Sequence, residues 1–154
     1  KGCLTTFIAA WALKARVHEL VKSFPDSPLS KAADKISIRM IEDCALQGDR
    51  LALKVVEEAS EHISIAVTSL INMLNPSLIV IGGSLARVED LLLGPIRDTI
   101  ERVNLVRSLS VTEIKTSELG TKTIAIGAAT LALEETFAKQ KFFKNNKMLG
   151  HLNK

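Results

Sequence analysis

The segment Asn75-Pro76-Ser77-Leu78-Ile79-Val80-Ile81-Gly82-Gly83-Ser84-Leu85 holds a helix stop, a strand and a turn in one short run. Asn75-Pro76 ends the apolar helix before it, because the residue ahead of a proline is pushed out of the right-handed α region. Leu78–Ile81 is an unbroken apolar run, short and rich in β-branched residues, and is expected to be a strand buried on both faces. Gly82-Gly83-Ser84 follows at once, and Val88 opens a new helical pattern. Strand, glycines and helix in this order form the turn at which α/β proteins bind ligands outside the carboxyl edge of a sheet. The same residues also suit a plain tight turn in which glycine supplies a positive φ. With no GxGxxG and no Lys after the glycines, the pattern leaves both readings open.

Upstream, residues from about Arg50 to Leu74 keep helical spacing, with Asp49 placed to cap them. The first half is amphipathic, with Lys54, Glu57, Glu58 and Glu61 on the wet side. The second half is apolar almost all round and is expected to be buried on most sides. His62, at the transition, reads as a surface or satisfied histidine. Earlier still, Thr5 or Thr6 can cap one helix carrying Phe7, Trp11, Leu13, Val17 and Val21 inward, and Ser30 can cap the next, with Ala33, Ile36, Met40 and Ile41 inward.

Downstream, Val88, Leu91, Leu92, Ile96, Ile100 and Val103 keep helical spacing, with Gly94-Pro95 expected to break it and Pro95 to start a second segment. Leu109–Thr116 is a second strand candidate, and Thr123 can cap a final helix through Gly127, Ala128, Ala129 and Phe137. Two strands joined through a helix make a right-handed βαβ unit. Two strands are few for this much helix, so further strands are expected from sequence outside the chain.

The totals narrow the class. At 154 residues with 47% hydrophobic and 24% charged residues, the chain suits one globular domain rather than a disordered segment. A net charge of +3 is too small to argue for nucleic acid. Much of that excess lies in Lys139, Lys141, Lys144, Lys147 and Lys154, expected to be a basic, solvated tail. Cys3 and Cys44 form no CxxC, which points to a reducing cytoplasm. No apolar run approaches the roughly 20 residues of a membrane span. The chain opens on Lys1 instead of Met, and is expected to be a piece of something longer.

Several motifs fail on inspection. Gly120-Thr121-Lys122-Thr123 has the order of a phosphate loop reversed and lacks its upstream glycine. His18-Glu19 begins an HExxH, but Lys22 stands where the second His is required. No nucleophile–base pair is visible, so no catalytic residue is expected. Gly127 inside a helix costs about 1 kcal/mol relative to alanine, which calls for a packing reason or a hinge.

As an ordered set, residues 75–85, then Leu91-Leu92-Leu93-Gly94-Pro95-Ile96, Ser117-Glu118-Leu119-Gly120 and Gly127-Ala128-Ala129 resemble the C-terminal half of the ROK family. Ala45-Leu46-Gln47-Gly48-Asp49 and the opening Gly2-Cys3-Leu4 fit as well, so the resemblance covers about residues 1–137. The family contains bacterial sugar kinases and NagC/Mlc/XylR-type transcriptional repressors. The resemblance implies an α/β chain, helix-rich with few strands, forming the C-terminal part of an actin–hexokinase (ribonuclease H-like) ATPase-type fold. Residues 1–137 would belong to the sugar-sensing or kinase-like domain and residues 138–154 to the basic tail.

The resemblance also assigns roles. Gly82, Gly83 and Ser84 match the nucleotide-side turn, and Gly127, Ala128 and Ala129 match the inter-domain connecting helix. Cys3 matches the last cysteine of a structural zinc motif whose other ligands would precede Lys1, so zinc is expected only in a full-length parent. Thr5 departs from the pattern. The family has a sugar-binding Glu there, and Thr offers one hydroxyl contact at most. Thr5 and the run Leu91–Arg97 look more like the repressor branch. The chain is therefore expected to be a fragment of a sugar-responsive repressor, supplying effector-domain and oligomerisation surface. In that parent it would work as a homodimer, with a sugar or sugar-phosphate effector and operator DNA held by a missing N-terminal domain, in the cytoplasm and without a membrane. The alternatives are the C-terminal half of an ATP-dependent sugar kinase, in which Gly82-Gly83 would seat the adenine side of ATP, and a dimerisation module without ligand. No cofactor is expected in the fragment itself.

Overall fold

Side-chain oxygens set where several of the helices begin. The computed structural model describes residues 2–32, 35–83, 85–103 and 112–149. Helices α3 (Pro28–Lys31), α4 (Ile38–Leu46) and α5 (Arg50–Leu74) are capped by Ser27, Ser37 and Asp49, whose side chains accept the N–H of Leu29, Met40 and Ala52. Each such cap contributes about 1 kcal/mol. Ser30, expected as a cap, lies inside α3 and donates its hydroxyl to the Phe24 carbonyl at 2.6 Å. Pro28, with its φ preset for a first helical position, moves the start upstream to Ser27. Ala33, expected inward here, lies outside the described residues.

The single helix expected from Thr5 is two, α1 (Thr5–Ile8) and α2 (Ala10–Leu20). Ala9 separates them with an extended backbone, φ −66° and ψ 154°. Neither start has a side-chain cap, and Thr6 donates its hydroxyl to the Cys3 carbonyl at 2.7 Å. Phe7 and Trp11, read as inward, are 39% and 60% exposed, and Trp11 stands two positions from the buried Leu13, on the opposite side of α2.

Helix α5 stops at Asn75, which takes the left-handed conformation (φ 43°, ψ 54°) while its N–H bonds the Ile71 carbonyl. The strand β1 (Leu78–Ile81) follows, then a 3-10 turn (Ala86–Val88), α6 (Glu89–Val103) and β2 (Glu113–Thr116). The strands are parallel and in register from Leu78 beside Glu113 to Ile81 beside Thr116. Thr112 adds a hydroxyl bond to the Pro76 carbonyl at 2.7 Å at the start of the ladder. Of the second strand candidate, Glu113–Thr116 is strand and 109–111 lie outside the described residues.

Helix α6 runs through Gly94-Pro95 without ending, contrary to the break expected there. A proline inside a helix costs about 3 kcal/mol. Leu92, Leu93 and Ile96 flank it and are fully buried, each contributing about 1.5–3 kcal/mol. Three such anchors outweigh one missing hydrogen bond. Their partners are the inward side chains of α5, among them Leu51, Val55, Val67 and Ile71, which belong to the same core. Ser60 and Ser64 are also fully buried on α5 and donate to the carbonyls four residues back, at 2.8 and 2.6 Å, so neither hydroxyl is orphaned.

Burial of β1 on both faces and of the end of α5 on most sides, the arrangement expected, is not what forms. Leu78 and Val80 are exposed whereas Ile79 and Ile81 pack on the core. Strand side chains alternate between faces, and among the described residues of the unit Lys1–Gly120 helices cover only one face of this pair. Ile65, Leu70, Met73 and Leu74 are exposed on α5 for the same reason.

The chain divides into two compact units, Lys1–Gly120 and Thr121–Lys154. The second consists of the helix α7 (Thr123–Leu149), with exposed side chains from Ile124 to Phe137. Among the described residues no helix is long and apolar enough to cross a membrane.

Candidate functional site

Parallel pairing of β1 and β2 places the ends of both strands on one edge, so the segments after Ile81 and Thr116 leave side by side. The Ser117 N–H bonds the Ile81 carbonyl at 2.8 Å and ties the second segment to the first. Each segment contains a glycine in the left-handed region, Gly83 at φ 96° and Gly120 at φ 52°. The space a Cβ would occupy at either glycine is open. This edge is where an α/β sheet receives a ligand. Ser84 lies outside the described residues.

The turn is held from below. Leu85 is 1% exposed although its φ is 71°, a conformation costing a non-glycine residue about 1–2 kcal/mol. Burial of a leucine contributes about 1.5–3 kcal/mol, so the side chain anchors the strained backbone. Arg87 adds a polar tie. Its Nη1 lies 3.1 Å from Glu42 Oε2 and 2.9 Å from Asp43 Oδ1 on α4. These two carboxylates raise the Arg87 pKa. On the other side, Glu89 Oε1 stands 3.5 Å from the Thr116 N–H and Arg97 Nη2 donates to the Ile114 carbonyl at 3.2 Å. The sequence gives no local sign of the Arg87 tie, since its partners are more than forty positions away.

Charge at this edge sorts the ligand groups it can accept. The first turn of α6 carries Glu89 and Asp90. Acids there already satisfy the positive helix end and repel a second anion. A phosphate beside the open glycines is therefore disfavoured.

The other singled-out residues lie elsewhere. Thr5 begins α1 and is exposed, and Phe7 of that helix stacks on His62 in the middle of α5 with ring centroids 4.0 Å apart. Cys3 is an exposed free thiol, and the described residues contain no group of three His, Cys, Asp or Glu able to hold a metal ion. The residues present thus do not fit a zinc ion. Gly127, Ala128 and Ala129 are exposed on α7, with open space where a Gly127 Cβ would be. Cys44 is buried, and burial pushes its thiol pKa up, away from the reactive thiolate.

The sequence profile of the ROK family matches residues 1–135. The chain belongs to the ROK family. That family holds both sugar kinases and transcriptional repressors, and similar proteins come from each branch. The glucokinase of Thermotoga maritima is 28% identical over 137 residues, 87% of this chain and 43% of that protein. The DNA-binding transcriptional dual regulator NagC of Escherichia coli is 33% identical over 130 residues, 84% of this chain and 31% of that protein. The crystal structure of a ROK family glucokinase from Streptomyces griseus in complex with glucose and AMPPNP superposes with a TM-score of 0.72 at 23% identity, over 85% of this chain and 44% of that one. The fold is thus the helix-dominant α/β arrangement of the actin–hexokinase ATPase type. The ROK chain spans less than half the length of the curated relatives it matches.

Proposed function

We propose that the chain is the C-terminal part of a ROK-type sugar kinase, with the segments 82–85 and 117–120 seating the adenosine side of ATP. The observation that carries this is the pair of open, left-handed glycines on one edge of a parallel strand pair, beside a helix start whose acids disfavour phosphate. Similarity supports it too, because glucokinases are among both the sequences and the solved structures that match more than four-fifths of this chain. Residues 1–137 would form this portion of the kinase-like domain, with 138–154 as a basic extension and the helix at Gly127–Ala129 as the link between domains. The phosphate-binding and sugar-activating groups would come from the remainder of a longer protein, along with the zinc ligands that accompany Cys3.

A repressor is the second reading, favoured by Thr5. A hydroxyl stands there in place of the sugar-binding carboxylate, and a sensor tolerates weaker sugar contact than an enzyme. In that protein an effector sugar would close two lobes and reset the spacing of DNA-binding heads in a dimer.

Calorimetric titration of the chain with AMPPNP tests the nucleotide reading. Binding in the millimolar range is expected, lost in Gly83→Val and unchanged in Thr5→Ala. Absence of heat with the unaltered chain, or equal heat with Gly83→Val, would sink it. Phosphotransfer to glucose is expected only from a longer protein that carries the missing groups.

A further inference from the structure

The geometry points to an organic-cation site, for a primary or quaternary ammonium group, in the cleft between α1, α2 and α5. This cleft holds about 510 Å3 and is separate from the glycine-bearing edge, so the inference does not depend on the nucleotide reading. Three of its lining residues, Phe7, Trp11 and His62, carry aromatic rings. Phe7 and His62 stack at 4.0 Å with 28° between their planes, and Trp11 turns outward, 60% exposed, from a helix whose neighbouring Ala12 and Leu13 are buried. Its charged groups are Arg16, Glu19, Glu58 and Glu61. Arg16 donates through Nε and Nη2 to Glu58 at 2.6 and 3.0 Å, and through Nη1 to Glu19 at 2.7 Å.

These contacts settle the sign of the ligand. Among the charged groups of the lining, three carboxylates face one guanidinium, so the cleft favours positive charge. An anion would have to pull Arg16 away from Glu58 and Glu19 and would then meet Glu61. A cation leaves those bonds in place. It also gains from the exposed ring of Trp11, since a negative ring face attracts an ammonium group within about 6 Å. The Arg16–Glu58 pair joins α2 to α5 across 42 positions and holds the cleft open before any ligand arrives. A neutral polyol could rest on Trp11 as well, but it would draw nothing from the excess charge.

Trp11 is the only tryptophan in the chain, so its fluorescence reports this cleft alone. The test titrates the 154-residue chain with tetramethylammonium chloride, and separately with Nα-acetyl-lysine amide, at constant ionic strength. A saturable change in Trp11 emission is expected in the millimolar range. Response to the first compound alone marks a quaternary ligand, and response to the second alone marks a primary ammonium such as a lysine side chain. Glu61 is exposed and makes no bond that holds the fold, so Glu61→Gln should keep the circular dichroism of the parent and weaken the response three- to tenfold. Trp11→Leu, followed by calorimetry, should lose binding. The inference is overturned if neither cation acts beyond a sodium chloride control, if Glu61→Gln responds like the parent, or if glucose or inorganic phosphate gives the saturable change instead.

Discussion

The Arg87 guanidinium meets the Glu42 carboxylate at 3.1 Å across 45 positions, and the carboxylate is the buried partner, its side chain 8% exposed against 43% for Arg87. The two ends of this contact are therefore unequal. Removing Arg87 leaves a buried carboxylate facing only Asp43, another negative group. Removing the Glu42 charge leaves an arginine that still holds Asp43 and reaches water. Arg87→Met should accordingly lower the melting temperature more than Glu42→Gln, because an uncompensated buried charge is the costlier defect. The double variant should melt above Arg87→Met alone. Thermal unfolding of the three variants checks the order, and equal losses in the two single variants would show that the burial of Glu42 does not set the cost.

The turn that Arg87 holds makes a second prediction at Gly83 and Leu85. Gly83→Ala meets no atom within 4 Å, so its cost is conformational only, about 1–2 kcal/mol for a non-glycine residue at positive φ. Leu85→Gly relieves a similar strain but removes a side chain that is 1% exposed. Loss of a buried leucine costs about 2–5 kcal/mol, so burial wins and the variant should be net destabilised. Urea unfolding at matched conditions decides it. A Leu85→Gly protein as stable as the parent would mean that the side chain is not the anchor.

The strand, the glycine turn and the long helix were legible because each rests on neighbours in sequence. Asn75-Pro76 stops a helix by local sterics, Asp49 caps one through a residue three positions on, and four apolar residues ended by glycines can form little but a short strand. Most of what escaped was set by distant partners. Trp11 is the exception: it reads as sharing one face with Leu13 and Val17, yet two positions from Leu13 is about 200° around a helix, and α2 buries Leu13 and Val17 while leaving Trp11 outward. Proline at position 95 signals a stop by local rules, but burial of Leu92, Leu93 and Ile96 overrides it. At the candidate site Gly83 could be read directly as a turn glycine, whereas Gly120 was not singled out as part of a site. The positive φ of Leu85 and the reach of Arg87 to α4 depend on the folded core, and no spacing announces them. Exposure of Leu78 and Val80 was equally hidden, since a four-residue apolar run looks the same with one covered face or two.

Arg16 and Glu58 give the chain a dependence on acid. Hydrogen bonds from Arg16 hold the Glu58 pKa below its ordinary value of 4.5. A carboxylate with a depressed folded-state pKa contributes stability that is fully present above the unfolded value and is lost as pH falls through the folded one. Between pH 7 and pH 5 the contribution should be constant, and below about pH 4.5 it should decline. Arg16 is 40% exposed, so solvent screening limits the pair to about 1 kcal/mol. Glu58→Gln should melt earlier than the parent at pH 7, with the gap narrowing as the pH falls from 4.5 to the most acidic pH at which both still fold. A constant gap between the two melting curves down to that pH would remove Glu58 from the acid limb.

Ile65, Met73 and Leu74 lie on α5 and Leu78 and Val80 on β1, and all five are more than 40% exposed. Isolated apolar side chains at a surface are ordinary, but a contiguous group marks an interaction face. A second copy of the chain is the occupant to test first, since ROK-type assembly as a homodimer was expected from the sequence. Light scattering after size exclusion should give a mass above that of the 16.8 kDa monomer at high concentration. Met73→Glu with Val80→Glu should return it to the monomer. Because both side chains are exposed in the single chain, at 74% and 56%, the unfolding midpoint at low concentration should stay within about 0.5 kcal/mol of the parent. A parent that is monomeric at high concentration would rule out self-association through this face. A double variant that associates like the parent would move the contact elsewhere on the chain.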